Sequence, residues 1–210
     1  MNETATWELI HQERARLADT LGRLNPAQWG HPSLCDGWSV QVITGHVVAG
    51  AEQTTGHFLT RFARSLFRFD VMTDVDARRL GALAPQVLVQ RLRATTRTTN
   101  HPPAPVAAML GEIVAHAEDI CRPLGLISGV SEAALVETLA TFANSGFPLG
   151  SKKRVAGLTL RATDVDWSHG FGPAVEGPGA WLMLAMVGRP SSLLHLSGDG
   201  VTELTRRVTP

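Results

Sequence analysis

Residues 106–121 read VAAMLGEIVAHAEDIC, and this stretch decides what kind of molecule the chain is. It follows Pro105 and stops before Arg122-Pro123, where a proline drives the preceding residue out of helical geometry, so a helix bounded at both ends is predicted. Within it Glu112 and His116 are four residues apart. Their side chains therefore leave one face of the helix about one turn from each other, close enough to grip a single ion.

The same reading extends outward in both directions. Trp7, Ile10, Leu17, Leu21 and Leu24 recur at helical spacing before the stop at Asn25-Pro26 and define a first helix. After the loop HPSLCDGW, Ser39 is the expected N-cap of a second helix running through VQVITGHVVAGAEQTTGHFLTRFAR, which carries His46 in an apolar stretch. A third helix is predicted from Leu83 to about Thr99, ended by NHPPAP, and a later one over SEAALVETLATFAN, capped by Ser131 and ended by Gly146. Beyond Gly146 the pattern changes. VAGLTLRATDVDW alternates like a strand, SHGFGPAVEGPG is too rich in glycine and proline for a regular element, and AWLMLAMVG reads as a short apolar helix. The expectation is a mainly α chain, with a helical bundle over 1–150 and a small α+β appendage over 151–210.

Composition narrows the function classes. The chain has 210 residues, 44% of them hydrophobic, enough to bury a core without disulfides. Lys+Arg and Asp+Glu are 19 each, with no basic block to follow a phosphate backbone, so nucleic acid is not an expected partner. The first twenty residues mix acids and bases and do not resemble a signal or transit peptide, and no apolar run approaches the ~20 residues that span a bilayer. Two cysteines fit a reducing, cytoplasmic setting better than a disulfide framework.

The pair Glu112 and His116 needs a third ligand to make a metal site, and His46 can supply it from the second helix if the two helices face each other in a bundle. Two imidazoles and a carboxylate suit zinc and leave a coordination position for a reactant. The competing reading is an intrahelical Glu–His contact beside a hydrogen-bonded core histidine. His57, eleven residues after His46 on the expected helix, lies roughly 16 Å further along and cannot join the site. Asp119 shares the face of Glu112 and His116, so it either orients a ligand, holds a polar group of a cofactor, or is a solvated acid near the helix end. Cys35 and Cys121 read as packing residues.

At these residues the sequence resembles the mycothiol-dependent maleylpyruvate isomerase family. The matching stretches are NPAQW, PSLCDGWSV, GHVVAG, GEIVAHAEDICRPLG, LTLRATDVDWSHGFGPAVEGPG, VGRP and LSGDGV. The resemblance implies a DinB-like four-helix bundle with a metal held by His46, Glu112 and His116. It also implies mycothiol as thiol cosubstrate and Arg189, in VGRP, as the arginine for a dicarboxylate, with Arg161 and Arg61, Arg64 and Arg68 as rivals. The expected activity is transfer of an activated thiol to an electrophile, with maleylpyruvate isomerisation as the alternative. A non-catalytic metal-binding or stress-response module is the alternative of another class.

Overall fold

The computed structural model describes residues 1–209, which form two compact units, 1–130 and 131–209. In the first, helix α1 spans Glu3–Leu21 and is capped by the Asn2 side chain, which accepts from Ala5 N. A short helix α2, Pro26–Trp29, follows with a reciprocal cap between Asn25 and Gln28. Helix α3 is Val40–Glu52, α4 Thr55–Arg64, α5 Phe69–Gly81, α6 Pro85–Ala94 and α7 Val106–Cys121.

Four of these close a ring: α1 packs against α6 and α7, and α3 packs against the same two helices. The apolar stripe of α1, with Ile10, Leu17 and Leu21, is essentially removed from solvent, as are Leu88 and Leu92 of α6 and Leu110, Val114 and Ile120 of α7. Each such aliphatic side chain contributes about 1.5–3 kcal/mol on burial. This is the four-helix bundle expected of the sequence. Helix α5 lies outside the ring against α3, and the contact is unusually close. A Cβ on Gly45 would stand 2.4 Å from the Gly81 nitrogen and 2.5 Å from the Ala77 carbonyl oxygen. Only glycine lets the two backbones meet there, and the meeting point lies one residue before His46.

The single long helix expected from Ser39 onward is two. Gln53 adopts an extended conformation and Thr54 starts α4 anew, its hydroxyl accepting from His57 N. His57 is therefore on a different helix from His46, so the length argument that set it apart does not apply. The predicted helix over 83–99 is shorter, because Thr95 and Thr96 turn their hydroxyls onto the carbonyls three residues back.

In the second unit, α8 (Glu132–Ala143) packs against α10 (Gly179–Met186), so the segment 131–150, expected in the bundle, groups here with the C-terminal residues. A short helix α9, Ser151–Val155, leads into a three-stranded sheet of order β2-β1-β3. Strand β1 (Thr159–Ala162) runs antiparallel to β2 (Ser168–Gly170) and parallel to β3 (Ala174–Gly177). The glycine-rich stretch expected to be irregular thus holds two strands. Gly170 has φ +81°, and a Cβ there would sit 2.2 Å from the Leu158 carbonyl oxygen, so glycine is what permits the close pairing. A 3-10 turn, Pro190–His195, and helix α11, Val201–Val208, complete the unit. No helix among the described residues is long and apolar enough to cross a membrane.

Candidate metal centre

Helix α7 is buried along nearly its whole second half, yet that half contains His116, Glu118 and Asp119. Buried polar groups must be partnered, and the partners explain the local design. Glu118 accepts from Arg122 Nε and from the Ser128 hydroxyl, an arrangement that ties the helix end to the following loop. His116 and Asp119 point the other way, toward α3 and the loop before it.

The fold brings His46, Glu112 and His116 together. One ligating atom from each lies within 4.8 Å of the other two. Glu112 Oε1 is in contact with His46 Nε2 and lies 3.2 Å from His116 Nε2, while the imidazole rings of His46 and His116 meet edge to face at 4.9 Å. Two donors bound at ~2.0–2.1 Å to one tetrahedral ion stand roughly 3.3 Å apart; the 3.2 Å between Glu112 and His116 suits a shared ion and a direct hydrogen bond alike, while His46 and Glu112 stand closer, as in a direct contact. Burial disfavours ionisation of Glu112, but the two histidines and their hydrogen bonds outweigh it and hold the carboxyl well below the usual range. For His116 burial disfavours the cation, yet Glu112, with Asp119 and Cys35 behind, holds the imidazole well above its usual value.

Each of the two histidines has a neighbour that orients it. Asp119 is completely buried, and its Oδ2 accepts from His116 Nδ1 at 2.9 Å, leaving Nε2 free to face Glu112. The same oxygen accepts from the Cys35 thiol at 3.2 Å, and Leu34 N donates to the Asp119 carbonyl at 3.0 Å. The loop 31–39 is thereby fixed on α7, with Gly37 at φ +72° making its turn. Its last aromatic, Trp38, lies 5.1 Å ring to ring from His46 and donates from Nε1 to Asp74 of α5 at 2.8 Å.

Asp119 is thus no solvated acid: it has zero exposure and is held against His116, Cys35 and the loop backbone. Cys35 and Cys121 are buried free thiols, and burial chiefly pushes Cys121 up to about 12. Arg189 belongs to the second unit, where its guanidinium faces the Val187 carbonyl; burial first, and then the charge of Arg189, lower the basicity of Arg154. Arg161 pairs with Glu176 and Arg61 with Asp76.

One residue beside the centre escaped the sequence reading. Arg14, 3% exposed, lines a small pocket together with Glu112, Val47, Gly50 and Met109. The signal was present: Trp7, Ile10, Arg14, Leu17 and Leu21 occupy one helical stripe, so a cation stands in the buried row.

Residues 10–104 match the family model described as the mycothiol maleylpyruvate isomerase N-terminal domain. Two crystal structures share the fold: a mycothiol-dependent maleylpyruvate isomerase, at TM-score 0.65 and 17% identity, and a histidine-to-alanine mutant of such an isomerase, at 0.64 and 16%. In both cases the alignment covers 95% of this chain and 93% of the other. No curated protein matches by sequence.

Proposed function

We propose that this chain, whose residues 10–104 match the model of the mycothiol maleylpyruvate isomerase N-terminal domain, is a metal-dependent enzyme that ionises a small-molecule thiol and adds it to an electrophile. The observation that carries the reading is the convergence of His46, Glu112 and His116, with Asp119 fixing the tautomer of His116 from behind. Three protein donors leave a position for a reactant, the pattern of a catalytic rather than a structural zinc site. When bound, a divalent ion supplies positive charge that lets a thiol lose its proton at neutral pH.

The chain's own residues do the rest. His46 and His116 present Nε2 as neutral donors, and Glu112 contributes one negative charge, so the site keeps about one net positive charge toward an incoming thiolate. Trp38 and Asp119 hold the two imidazoles in place, so little ordering is left for the moment of binding. In a transfer, the thiolate sulfur forms a bond to the electrophilic carbon and stays there. The thiol's proton goes to the product of an addition or departs with a displaced group.

The isomerase reading shares the first step. The thiolate adds to one carbon of a cis double bond conjugated to a carbonyl, the electron pair moves onto that carbonyl, rotation follows, and its return expels the thiolate. The match to the isomerase family's domain supports it. Purified protein, a divalent ion and mycothiol, supplied with either maleylpyruvate or a general thiol-reactive electrophile, separate the two. Adduct formation lost in His46→Ala supports transfer, rapid isomerisation without adduct supports the second reading, and turnover of neither contradicts both.

A further inference from the structure

Helix α4 and the turn after it differ from the rest of the first unit. Residues 55–69 read TGHFLTRFARSLFRF, rich in phenylalanine and leucine, yet no residue of α4 is buried. Leu59, Leu66 and Phe67 are 55%, 80% and 72% exposed. Phe67 meets Phe62 edge to face at 5.5 Å, and Phe62 stacks on Phe58 at 5.5 Å, so Phe67 is the outer end of a row of three rings.

The turn that carries this end outward is rigid. Leu66 and Phe67 have φ of 53° and 60°, the left-handed region that bulky side chains seldom enter, and no other non-glycine residue described does so. Leu66 N donates to the Ala63 carbonyl at 3.0 Å, Phe67 N to the Phe62 carbonyl at 2.9 Å and Arg68 N to the Ser65 carbonyl at 3.0 Å. Two large apolar side chains are thus held in water by a strained backbone, and strain of this kind collects at functional sites.

Charge narrows what can cover them. Residues 53–69 contain Arg61, Arg64 and Arg68 and no acid, and 53–81 hold five arginines against three aspartates in a chain of zero net charge. Asp76 engages Arg61, Asp74 engages Arg78, and Asp70 reaches Arg68 at 3.3 Å between two exposed side chains, a weak pair. Arg64 is exposed and pairs with no carboxylate among the described residues. The tip is therefore two apolar residues between two cations, Arg64-Ser65-Leu66-Phe67-Arg68. A second copy fits it badly. Like charges would meet, and three such side chains cover far less than the ~1,200 Å² that a stable protein interface buries. A fluid anionic surface needs no shaped counterpart, because apolar side chains enter its acyl boundary while arginines stay among the headgroups.

We propose that Leu66 and Phe67, flanked by Arg64 and Arg68, form a docking surface for an anionic lipid bilayer, on which the protein sits peripherally without crossing it.

Flotation of the full chain with lipid vesicles tests this. Vesicles of phosphatidylcholine mixed with phosphatidylglycerol should carry the protein at low salt, pure phosphatidylcholine roughly fivefold less of it, and high salt should release it. The double variant Leu66→Asn/Phe67→Asn, whose new side chains tolerate the left-handed turn, should lose roughly tenfold in partitioning with its melting temperature unchanged or raised. A second variant, Arg64→Gln/Arg68→Gln, should lose the preference for anionic lipid. No flotation of wild type, equal binding to both kinds of vesicle, or full binding by either folded variant overturns the proposal. Dimerisation in the ultracentrifuge that the asparagine variant abolishes would assign the tip to a second copy and overturn it as well. Binding to polyglutamate as tight as to anionic vesicles would assign it to an acidic protein, with the same consequence.

Discussion

Asp119 Oδ2 and His116 Nδ1 lie 2.9 Å apart inside the bundle, and the carboxylate making that contact has no solvent exposure at all. Such a contact fixes which imidazole nitrogen faces outward and increases its basicity as a ligand. Asp119→Asn keeps the shape but removes the charge, and it also alters the contact to Cys35. We expect metal affinity to fall 10–100-fold, measured by competition with a chromogenic chelator, with a folded bundle retained. Unchanged affinity would show that the ion does not use His116 Nε2.

Gly45 and Gly81 make the second prediction. A Cβ at Gly45 meets backbone atoms at 2.4 and 2.5 Å, which no rotamer can relieve. Gly45→Ala should therefore destabilise the protein by about 1–3 kcal/mol in urea unfolding. Because the crossing abuts His46, the variant should lose metal affinity as well. Gly50→Ala, where nothing lies within 4 Å, is the control and should change stability by less than about 1 kcal/mol.

The metal-free protein should show a pH dependence of definite sign. His116 is held above its usual value, so its stabilising contribution is complete below about 6.5 and disappears as pH rises through the raised value. Glu112 is depressed, so its contribution is present above about 4.3 and is lost as pH falls through the lowered value. The melting-temperature gap between chelator-treated wild type and His116→Ala should thus be wider at pH 6 than at pH 9.5. A gap independent of pH would mean that the histidine is not coupled to Glu112 and Asp119.

How far the sequence could carry this account depends on the range of each interaction. The register of Glu112 with His116 is local, a property of one helix, and could be read directly from a spacing of four. The approach of His46 is not local. It requires α3 to face α7 across the ring, and the resemblance to a known family, not periodicity, selected that pairing. Arg14 is far from the motifs in sequence, and α1 reaches the centre only through its packing against α6 and α7, a contact that periodicity does not reveal. The break between α3 and α4 carried its own signal in Thr54, a capping residue hidden inside an apparently continuous helical pattern. Strands β2 and β3 were overlooked because glycine was read as a breaker, while Gly170 and Gly172, at φ +81° and +121°, are what allow close backbone pairing with the Gly157–Leu158 segment.

The central claim is that His46 and His116, from two facing helices, hold one ion jointly with Glu112. Elemental analysis of protein purified without added metal, for wild type, His46→Ala and His116→Ala, tests it most directly. About one divalent ion per wild-type chain is expected, with most of it lost in each variant and helical content preserved by circular dichroism. Full metal retention in both folded variants, or a wild-type protein that takes up no ion when zinc is supplied, would contradict it.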